Sequence, residues 1–368
     1  MQSGRRTVMS VVGTRPNLMK TAPVLLELAR RSDRFRSVLV HTDQHYDDEM
    51  SAVFFGELGV GEPDYRLGVG SGTHAQQTAL VMEGLEPVLQ QEQPDVLLVP
   101  GDVNSTLAAA LTAAKVGVPV AHLEAGLRSF DRSMPEEINR VLTDAIAGVH
   151  FIHSPEARTN LLAEGVADAS IHAVGNTMID TLFAMRDRPD VREAPGRHGL
   201  AGRRYVLVTL HRPALVDGPL LVEAVERLAE LANEIDVVFP VHPRTRAALE
   251  VAGRDLPAGL LLLPPLGYLE FLGLMAGATA VLTDSGGIQE ETTALGIPCF
   301  TLRDTTERPV TVTLGTNTVL GLAPGRIVDI PRLLREPRRS TGPVPGWDGQ
   351  AAQRVVDVLE EVLWRLST

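Results

Sequence analysis

Cysteine and long apolar runs are nearly absent from this sequence. Its 368 residues include a single cysteine, Cys299, within the apolar run 297–302. One cysteine excludes a disulfide framework and a cysteine-based metal site, and its apolar surroundings predict a buried structural residue. The basic residues 1–6 lead only into a short apolar stretch, so the pattern predicts neither a signal peptide nor a membrane span. We therefore expect a cytoplasmic protein.

The chain also lacks an excess of positive charge. It has 34 Lys and Arg against 46 Asp and Glu, a formal net charge of −12. This balance argues against nucleic acid or an anionic membrane as the main partner. An anionic substrate would need arginine, lysine and helix N-termini concentrated at its site. Internal repeats are absent as well, which excludes a solenoid.

Short apolar runs alternate with helical stretches along nearly the whole chain, which predicts an α/β protein with parallel sheets covered on both faces. The length exceeds one typical core, and a polar, proline-containing passage at 186–204 separates two such series. We therefore predict two doubly wound domains, residues 1–175 with a returning helix at 351–368, and residues 176–350. The predicted strands are 7–12, 37–41, 95–99, 119–122, 149–153 and 170–174 in the first series, and 205–210, 236–240, 260–263, 278–283 and 298–302 in the second.

Residues 283–291, Thr-Asp-Ser-Gly-Gly-Ile-Gln-Glu-Glu, have the pattern of a strand, a tight turn and a helix start. The N–H groups of Ser285, Gly286 and Gly287 would then lie unpaired at the positive end of a helix dipole, which suits a phosphate or diphosphate. Glu291, one turn further, is placed to accept hydrogen bonds from ribose hydroxyls. An ordinary capped turn explains this spacing equally well when the segment is taken alone.

Ligands of open α/β sheets bind at the carboxyl ends of the strands, and two such domains predict a site in the cleft between them. Arg15 and Lys20 follow the first predicted strand. Two cations at this turn suit an anionic ligand, although a solvated helix start is equally common. The turn lacks the spacing of a dinucleotide fingerprint or a P-loop.

Three carboxylates lie at similar positions further along the chain. Asp102 and Glu124 follow predicted strands, and Glu136 follows Pro135 at a predicted helix start. Each has a structural explanation, as a cap or as a charge that compensates a helix dipole. Together they would repel one another at one sheet edge, which favours a raised pKa and a role as general acid or base. A metal site is the alternative, but the clustered Asp and His spacing is missing, so no metal is expected.

In the second half, His211-Arg212 follows one predicted strand, and His242 with Arg244 follows the next along the chain. A single histidine in such a place is more often structural. Two pairs of His and Arg beside a phosphate-type turn favour a functional role for these residues. Further positive charge follows the last predicted strand, at Arg303 and Arg308.

Taken together, these segments resemble the UDP-N-acetylglucosamine 2-epimerase family of the bacterial non-hydrolysing type. The motifs occur in order, cover nearly the whole chain and are specific as a set, although most are weak singly. They are Gly13-Thr14-Arg15-Pro16 with Lys20, Gln44-His45, Gly101-Asp102 with Ser105-Thr106, HLEAGLR at 122–128, PEEINR at 135–140, Gly175-Asn176-Thr177, His211-Arg212, His242-Pro243, DSGGIQEE at 284–291 and TERP at 306–309.

The resemblance implies a GT-B architecture, in which two Rossmann-like domains face a cleft, usually as a homodimer. It implies reversible inversion at C2 of UDP-GlcNAc to give UDP-ManNAc, with no redox cofactor. UDP leaves C1 as the C2 proton is removed, which gives 2-acetamidoglucal. UDP then adds back as C2 is reprotonated on the other face.

The resemblance also implies roles for individual residues. Asp102, Glu124 and Glu136 are candidates for proton transfer and glucal stabilisation, with the face that each serves left open. His211 is expected near the leaving diphosphate. The other expected substrate contacts are Ser285, Gly286 and Gly287 to phosphate, Glu291 to ribose, Phe271 to uracil, and positive charge from Arg15, Lys20 and Arg308.

Several positions depart from the family pattern. Ala214-Leu215 stand where Glu-Asn often follows the His-Arg pair, and residues 46–50 lack a second glutamine. Residues 67–73 lack the arginine expected to contact a second sugar nucleotide, and Val310 replaces an acidic residue. We therefore expect an intact catalytic set without activation by substrate at a second site.

Three other functions are compatible with these residues. A hydrolysing 2-epimerase would release ManNAc and UDP, because the glucal takes up water. A GT-B glycosyltransferase would need an acceptor and would not exchange the C2 hydrogen with solvent. A non-catalytic sugar-nucleotide sensor is the third, and three carboxylates near a diphosphate argue against it.

Overall fold

The computed structural model describes residues 4–44, 55–212, 215, 218, 220–241, 259–337 and 343–365. The chain divides into two compact units. The first unit comprises Met1–Thr181 and Pro345–Thr368, and the second comprises Leu182–Val344. The C-terminal segment thus belongs to the unit that the N-terminus begins.

The first unit contains, within the described residues, a parallel sheet of seven strands in the order β3-β2-β1-β4-β5-β6-β7. Its strands are β1 (Arg6–Val12), β2 (Phe35–His41), β3 (Tyr65–Arg66), β4 (Val96–Pro100), β5 (Val120–Leu123), β6 (Val149–Ile152) and β7 (Ile171–Ala173). The helices are α1 (Arg15–Arg30), α2 (His74–Glu92), α3 (Asn104–Lys115), α4 (Pro135–Ile146), α5 (Pro155–Ala163) and α6 (Thr177–Met185), the last of which runs on into the second unit.

The second unit has a parallel sheet of six strands in its described part, in the order β10-β9-β8-β11-β12-β13. Its strands are β8 (Tyr205–Thr209), β9 (Asp236–Pro240), β10 (Leu260–Leu263), β11 (Ala280–Thr283), β12 (Cys299–Thr301) and β13 (Asn317–Val319). Its helices are α7 (Pro189–Arg192), α8 (Ala194–Arg197), α9 (Leu220–Leu231), α10 (Tyr268–Gly277), α11 (Gly286–Leu295), α12 (Val310–Thr313) and α13 (Ile330–Leu333). The last helix of the chain, α14 (Ala351–Arg365), returns to the first unit.

The two faces of the first sheet carry separate cores. Val8 and Met9 are both fully buried but belong to different apolar clusters, because successive side chains of a strand point to opposite faces. On the Val8 side, Val355 and Leu359 of α14 complete the cluster. The returning helix is therefore part of the core of the first unit.

The start of α14 is held by a carboxylate from α6. Asp180 accepts hydrogen bonds from the N–H groups of Ala351 at 3.1 Å and Ala352 at 2.7 Å. An acidic side chain at this end satisfies orphan N–H groups and opposes the helix dipole. Burial nevertheless raises the pKa of Asp180 to about 6. The cap therefore links the two chain segments of the first unit, since Asp180 lies near the end of the first segment and α14 belongs to the second.

The sequence-based strands agree with the structure within about two residues at each end, except where a strand is very short. The edge strands β3 and β13 were not predicted, because two or three residues carry no readable alternation. Cys299 is fully buried, as expected, and burial raises the pKa of its thiol to about 12. Among the described helices, none combines the length and apolar character needed to cross a membrane.

Candidate active site

Glu124 is fixed at the carboxyl end of β5. Its backbone adopts a φ of 74°, in the left-handed region that costs a non-glycine residue about 1–3 kcal/mol. Its carboxylate contacts the ammonium of Lys20 from α1, and both residues are buried. A strained backbone that holds a buried ion pair at a sheet edge is typical of a functional site.

Gly101 and Asp102 follow β4 and lie beside this pair. Gly101 has a φ of 65°, and a Cβ added to it would lie 3.2 Å from Nζ of Lys20 and 3.4 Å from Oε2 of Glu124. Glycine is favoured here because its φ is positive and because a side chain would crowd the pair. The structure thus brings together Lys20, Glu124 and the Gly101-Asp102 turn.

Asp102 is anchored from α4. Arg140 donates to its carboxylate from Nε at 2.9 Å and Nη2 at 2.7 Å, and Asn139 donates to its carbonyl at 2.9 Å. Arg140 also pairs with Glu137 at 2.6 Å, and Glu137 accepts the N–H groups of Ser129 and Phe130. These hydrogen bonds offset the effect of burial and hold the pKa of Glu137 below its ordinary value.

Glu136, the third predicted carboxylate, lies half-buried in the first turn of α4. It precedes Arg140 by four residues, so the two side chains share one helix face. The helix starts at Pro135 as predicted. Arg15 begins α1 and its side chain is exposed.

A buried ionic cluster contacts both the Gly101-Asp102 turn and the turn at residues 124–126. Asp144 of α4 accepts from His122 at 2.6 Å, from Arg128 at 2.7 Å and from the N–H of Gly126 at 3.0 Å. Burial alone would raise the pKa of Asp144, but His122 and Arg128 together lower it. The other nitrogen of His122 lies 2.8 Å from the carbonyl oxygen of Gly101. The cluster therefore connects the Gly101-Asp102 turn with the Glu124–Gly126 turn.

A second buried network was not recognised from the sequence. Ser105 donates to Gln44 at 2.8 Å and lies 2.8 Å from the hydroxyl oxygen of Thr42. Asn104 and Gln44 each donate to Gln77, at 2.9 and 3.2 Å. Gln77 lies in the first turn of α2, and no local sequence pattern marks it. Only its burial among polar side chains identifies it.

In the second unit, Asp284 organises the turn that carries His211. Its carboxylate accepts the N–H groups of His211 and Arg212, each at 2.8 Å, and lies 2.9 Å from Nδ1 of His211. Burial opposes ionisation, but His211 and these N–H groups lower the pKa of Asp284. His211 is thereby oriented while its side chain remains 60% exposed, so it is available to a ligand.

The helix start after Asp284 agrees with the predicted strand, turn and helix. One detail of the prediction was wrong: the N–H of Ser285 donates to Oγ1 of Thr283 at 2.9 Å, because the cap residue turns back toward the strand. The first N–H groups of α11, from Gly286 and Gly287, have no acceptor within the helix. These two groups remain our candidates for binding an anion.

Arg308 lies over this helix start. A Cβ at Gly286 would lie 2.3 Å from its Nη1, and its Nε lies 3.1 Å from the buried carboxylate of Glu290. Glu307 lies 3.6 Å from Nη1 of Arg308 and forms two hydrogen bonds with Arg303, at 2.9 and 2.6 Å. Burial opposes ionisation of Glu307, but the two arginines lower its pKa to about 2. Arg308 is therefore held rigidly at the helix start by buried carboxylates.

The two remaining predicted contacts lie on α10 and α11. Glu291 is buried and accepts a hydrogen bond from the hydroxyl of Tyr268 at 3.0 Å. Phe271 is half-buried, one turn after Tyr268 on α10. Several residues named in the sequence analysis lie outside the described residues: His45, residues 46–50, Ala214, His242, Pro243 and Arg244.

Comparisons with known proteins identify the family of this chain. Residues 27–360 match the family model for UDP-N-acetylglucosamine 2-epimerase. The chain is 40% identical to a UDP-N-acetylglucosamine 2-epimerase of Methanococcus maripaludis over 363 residues, which cover 95% of this chain and 97% of that relative. The chain belongs to the UDP-N-acetylglucosamine 2-epimerase family.

Two further members extend the comparison. The UDP-2,3-diacetamido-2,3-dideoxy-D-glucuronate 2-epimerase of Pseudomonas aeruginosa is also 40% identical, over 96% of this chain and 99% of its own. The crystal structure of the Methanocaldococcus jannaschii UDP-GlcNAc 2-epimerase in complex with UDP-GlcNAc and UDP matches with a TM-score of 0.85 and 38% identity. That match covers 96% of this chain and 99% of the other. The two Rossmann-like units of this epimerase-family chain therefore have the GT-B architecture.

Because Gly286 lies close to Arg308, the variant Gly286→Ala tests whether Arg308 binds the substrate at the start of α11. The helical backbone accepts alanine, but the added methyl group would displace the arginine. We expect the KM for the UDP-sugar to rise about tenfold or more, since one charge-assisted hydrogen bond contributes about 1.5–3 kcal/mol. The control Gly196→Ala, with no atom within 4 Å of the added carbon, should leave KM unchanged. If the two variants have the same KM, Arg308 does not contact the substrate.

Proposed function

We propose that the protein catalyses the reversible C2 epimerisation of UDP-GlcNAc to UDP-ManNAc, by elimination of UDP to 2-acetamidoglucal and re-addition, without release of the sugar and without a cofactor. The observation that carries this proposal is the contact of Lys20 with Glu124 beside Asp102. Family membership supports the reaction, and the complex of the Methanocaldococcus jannaschii relative with UDP-GlcNAc and UDP supports the substrate.

The first unit would perform the proton transfers. The C2 proton is weakly acidic, so its removal needs a base that is already in position. Glu124 is positioned by Lys20 and by its backbone, and Asp102 by Arg140. With Glu136 one turn before Arg140, these carboxylates are our candidates for removing the C2 proton and returning one to the other face.

The second unit would hold the nucleotide and stabilise the charge that develops on leaving UDP. The N–H groups of Gly286 and Gly287 and the guanidinium of Arg308 are donors suited to diphosphate oxygens. His211, oriented by Asp284, supplies a further group for the diphosphate. The remaining assignments, Ser285 to phosphate, Glu291 to ribose, Phe271 to uracil and positive charge from Arg15, follow from the family resemblance.

Incubation with UDP-GlcNAc in deuterated water, followed by NMR, tests this function. We expect deuterium at C2 together with UDP-ManNAc signals, because the proton on the new face comes from a group that exchanges with solvent. Free ManNAc and UDP as the first products would indicate a hydrolysing 2-epimerase instead. Absence of C2 deuterium would reject both epimerase reactions and favour a glycosyltransferase.

The Pseudomonas aeruginosa relative supports a second candidate substrate. That relative is named as the 2-epimerase of a UDP-diacetamido-glucuronate, and it is 40% identical to this chain, as is the Methanococcus maripaludis relative. Both sugars carry an acetamido group at C2, so the same proton chemistry would apply. A comparison of kcat/KM for the two UDP-sugars under equal conditions decides between them, and the higher value identifies the substrate.

We propose in addition that UDP-GlcNAc does not activate the enzyme at a second site. The departures at residues 46–50, 67–73 and Ala214-Leu215 support this proposal. We expect hyperbolic dependence of the rate on UDP-GlcNAc, and a reverse reaction that starts from UDP-ManNAc alone without delay. A lag that trace UDP-GlcNAc removes would contradict the proposal.

A further inference from the structure

His153 lies against the carboxylate of Glu124. It follows β6 and is buried, and its Nε2 lies 3.8 Å from Oε1 of Glu124. The other carboxylate oxygen, Oε2, contacts the ammonium of Lys20. The carboxylate thus has a fixed cation on one oxygen and a titratable imidazole near the other.

The imidazole is held in place by Trp347. The indole N–H donates to the carbonyl of His153 at 2.9 Å, and the two rings pack edge to face, with centroids 6.0 Å apart and an interplanar angle of 76°. Trp347 is itself buried, in the segment that leads into α14. Trp347 thus contacts both the backbone and the ring of His153, which fixes the position of the imidazole.

The proposed reaction creates a need for such a group. Each turnover removes a proton on one face of C2 and delivers one on the other, so the accepting carboxylate ends the cycle protonated. It must lose that proton before it can act again. A carboxylate that contacts an ammonium binds a proton weakly, whereas an imidazole binds and releases a proton near neutral pH.

We propose that His153 exchanges this proton with Glu124. The proton on the Glu124 carboxyl passes to Nε2 of His153, which leaves the carboxylate paired with Lys20 and the imidazole as imidazolium. The imidazolium then gives the proton to water, which regenerates the neutral imidazole and leaves Glu124 ready to act as a base, so proton and charge are conserved. Transfer requires the distance of 3.8 Å between Nε2 of His153 and Oε1 of Glu124 to shorten to hydrogen-bond length. His153 acts through Glu124 and is a positioning residue, and this inference rests on the proposed epimerase function.

The test compares His153→Gln with the wild-type enzyme by the NMR assay across about pH 5.5 to 9. Glutamine keeps an amide nitrogen near Nε2 but cannot carry the proton. We expect kcat to fall about 10- to 100-fold with KM nearly unchanged, and the inflection of kcat near neutral pH to disappear. The control His172→Gln, on β7, should keep both the rate and the inflection.

A second variant keeps the proposal testable if His153→Gln does not fold. Trp347→Phe leaves the imidazole in place but removes the hydrogen bond to its carbonyl, so we expect a smaller loss of kcat with the inflection retained. A wild-type pH profile in His153→Gln, or a loss of kcat without a change in the profile, would overturn the role of His153. Failure of the proposed function is distinguishable, because the wild-type enzyme itself would then incorporate no deuterium at C2.

Discussion

Replacement of Asp102 by asparagine is expected to lower kcat for epimerisation about 100- to 10,000-fold, with UDP affinity nearly unchanged. Asparagine has almost the same shape, and its carbonyl oxygen can still accept from Arg140. The backbone carbonyl that receives Asn139 is also preserved. What is lost is the basicity of the side chain. The measurement is kcat from the deuterium NMR assay, together with UDP affinity by calorimetry.

The control is Asp168→Asn, which makes the same chemical change at a side chain that is 60% exposed and pairs with Arg158. Its kcat should equal that of the wild type. A normal kcat in Asp102→Asn would remove Asp102 from the catalytic set. A parallel loss of UDP affinity would show that Asp102 acts in binding instead.

Replacement of Asp144 by asparagine is expected to lower the free energy of unfolding of the first unit by about 3–5 kcal/mol. Asp144 lies between His122 and Arg128, whose side chains are 0% and 1% exposed. Loss of its charge leaves the guanidinium of Arg128 without a buried counter-charge. Both tryptophans of the chain, Trp347 and Trp364, belong to this unit, so indole fluorescence during urea unfolding reports on it.

The pH dependence of this loss follows from the lowered pKa of Asp144. The stabilisation by its charge is complete above the unfolded pKa of about 3.9 and is lost as pH falls through the lower folded value. The difference between wild type and Asp144→Asn should therefore be constant at neutral pH and shrink below about pH 4. The control Glu164→Gln breaks the contact of Arg128 with a carboxylate that is 36% exposed, and should cost about 1 kcal/mol or less. Equal losses in both variants would contradict a special role of the buried pair.

Much of the fold was predictable because its strands are short apolar runs bounded by turns. The runs at 236–240 and 260–263 were predicted with the bounds that the structure shows. The strands Tyr65–Arg66 and Asn317–Val319 could not be predicted, since each depends on pairing with a neighbouring strand rather than on its own pattern.

The candidate site was predictable where residues follow strands and less so elsewhere. Lys20, Asp102 and Glu124 were found because the carboxyl ends of parallel strands meet at one edge. Gln77 was missed because it lies within a helix, far from any motif. The hydrogen bond from Ser285 to Thr283 was missed because hydrogen-bond geometry at a cap cannot be read from residue types.

The return of α14 to the first unit has a consequence for how the chain folds during synthesis. The second unit is one continuous stretch, residues 182–344, and all of it is synthesised before Val355 and Leu359. The apolar surface around Val8 therefore stays uncovered while the second unit is being synthesised. The first unit is therefore started first but completed last. Until α14 is added, its exposed apolar surface makes this unit prone to aggregation.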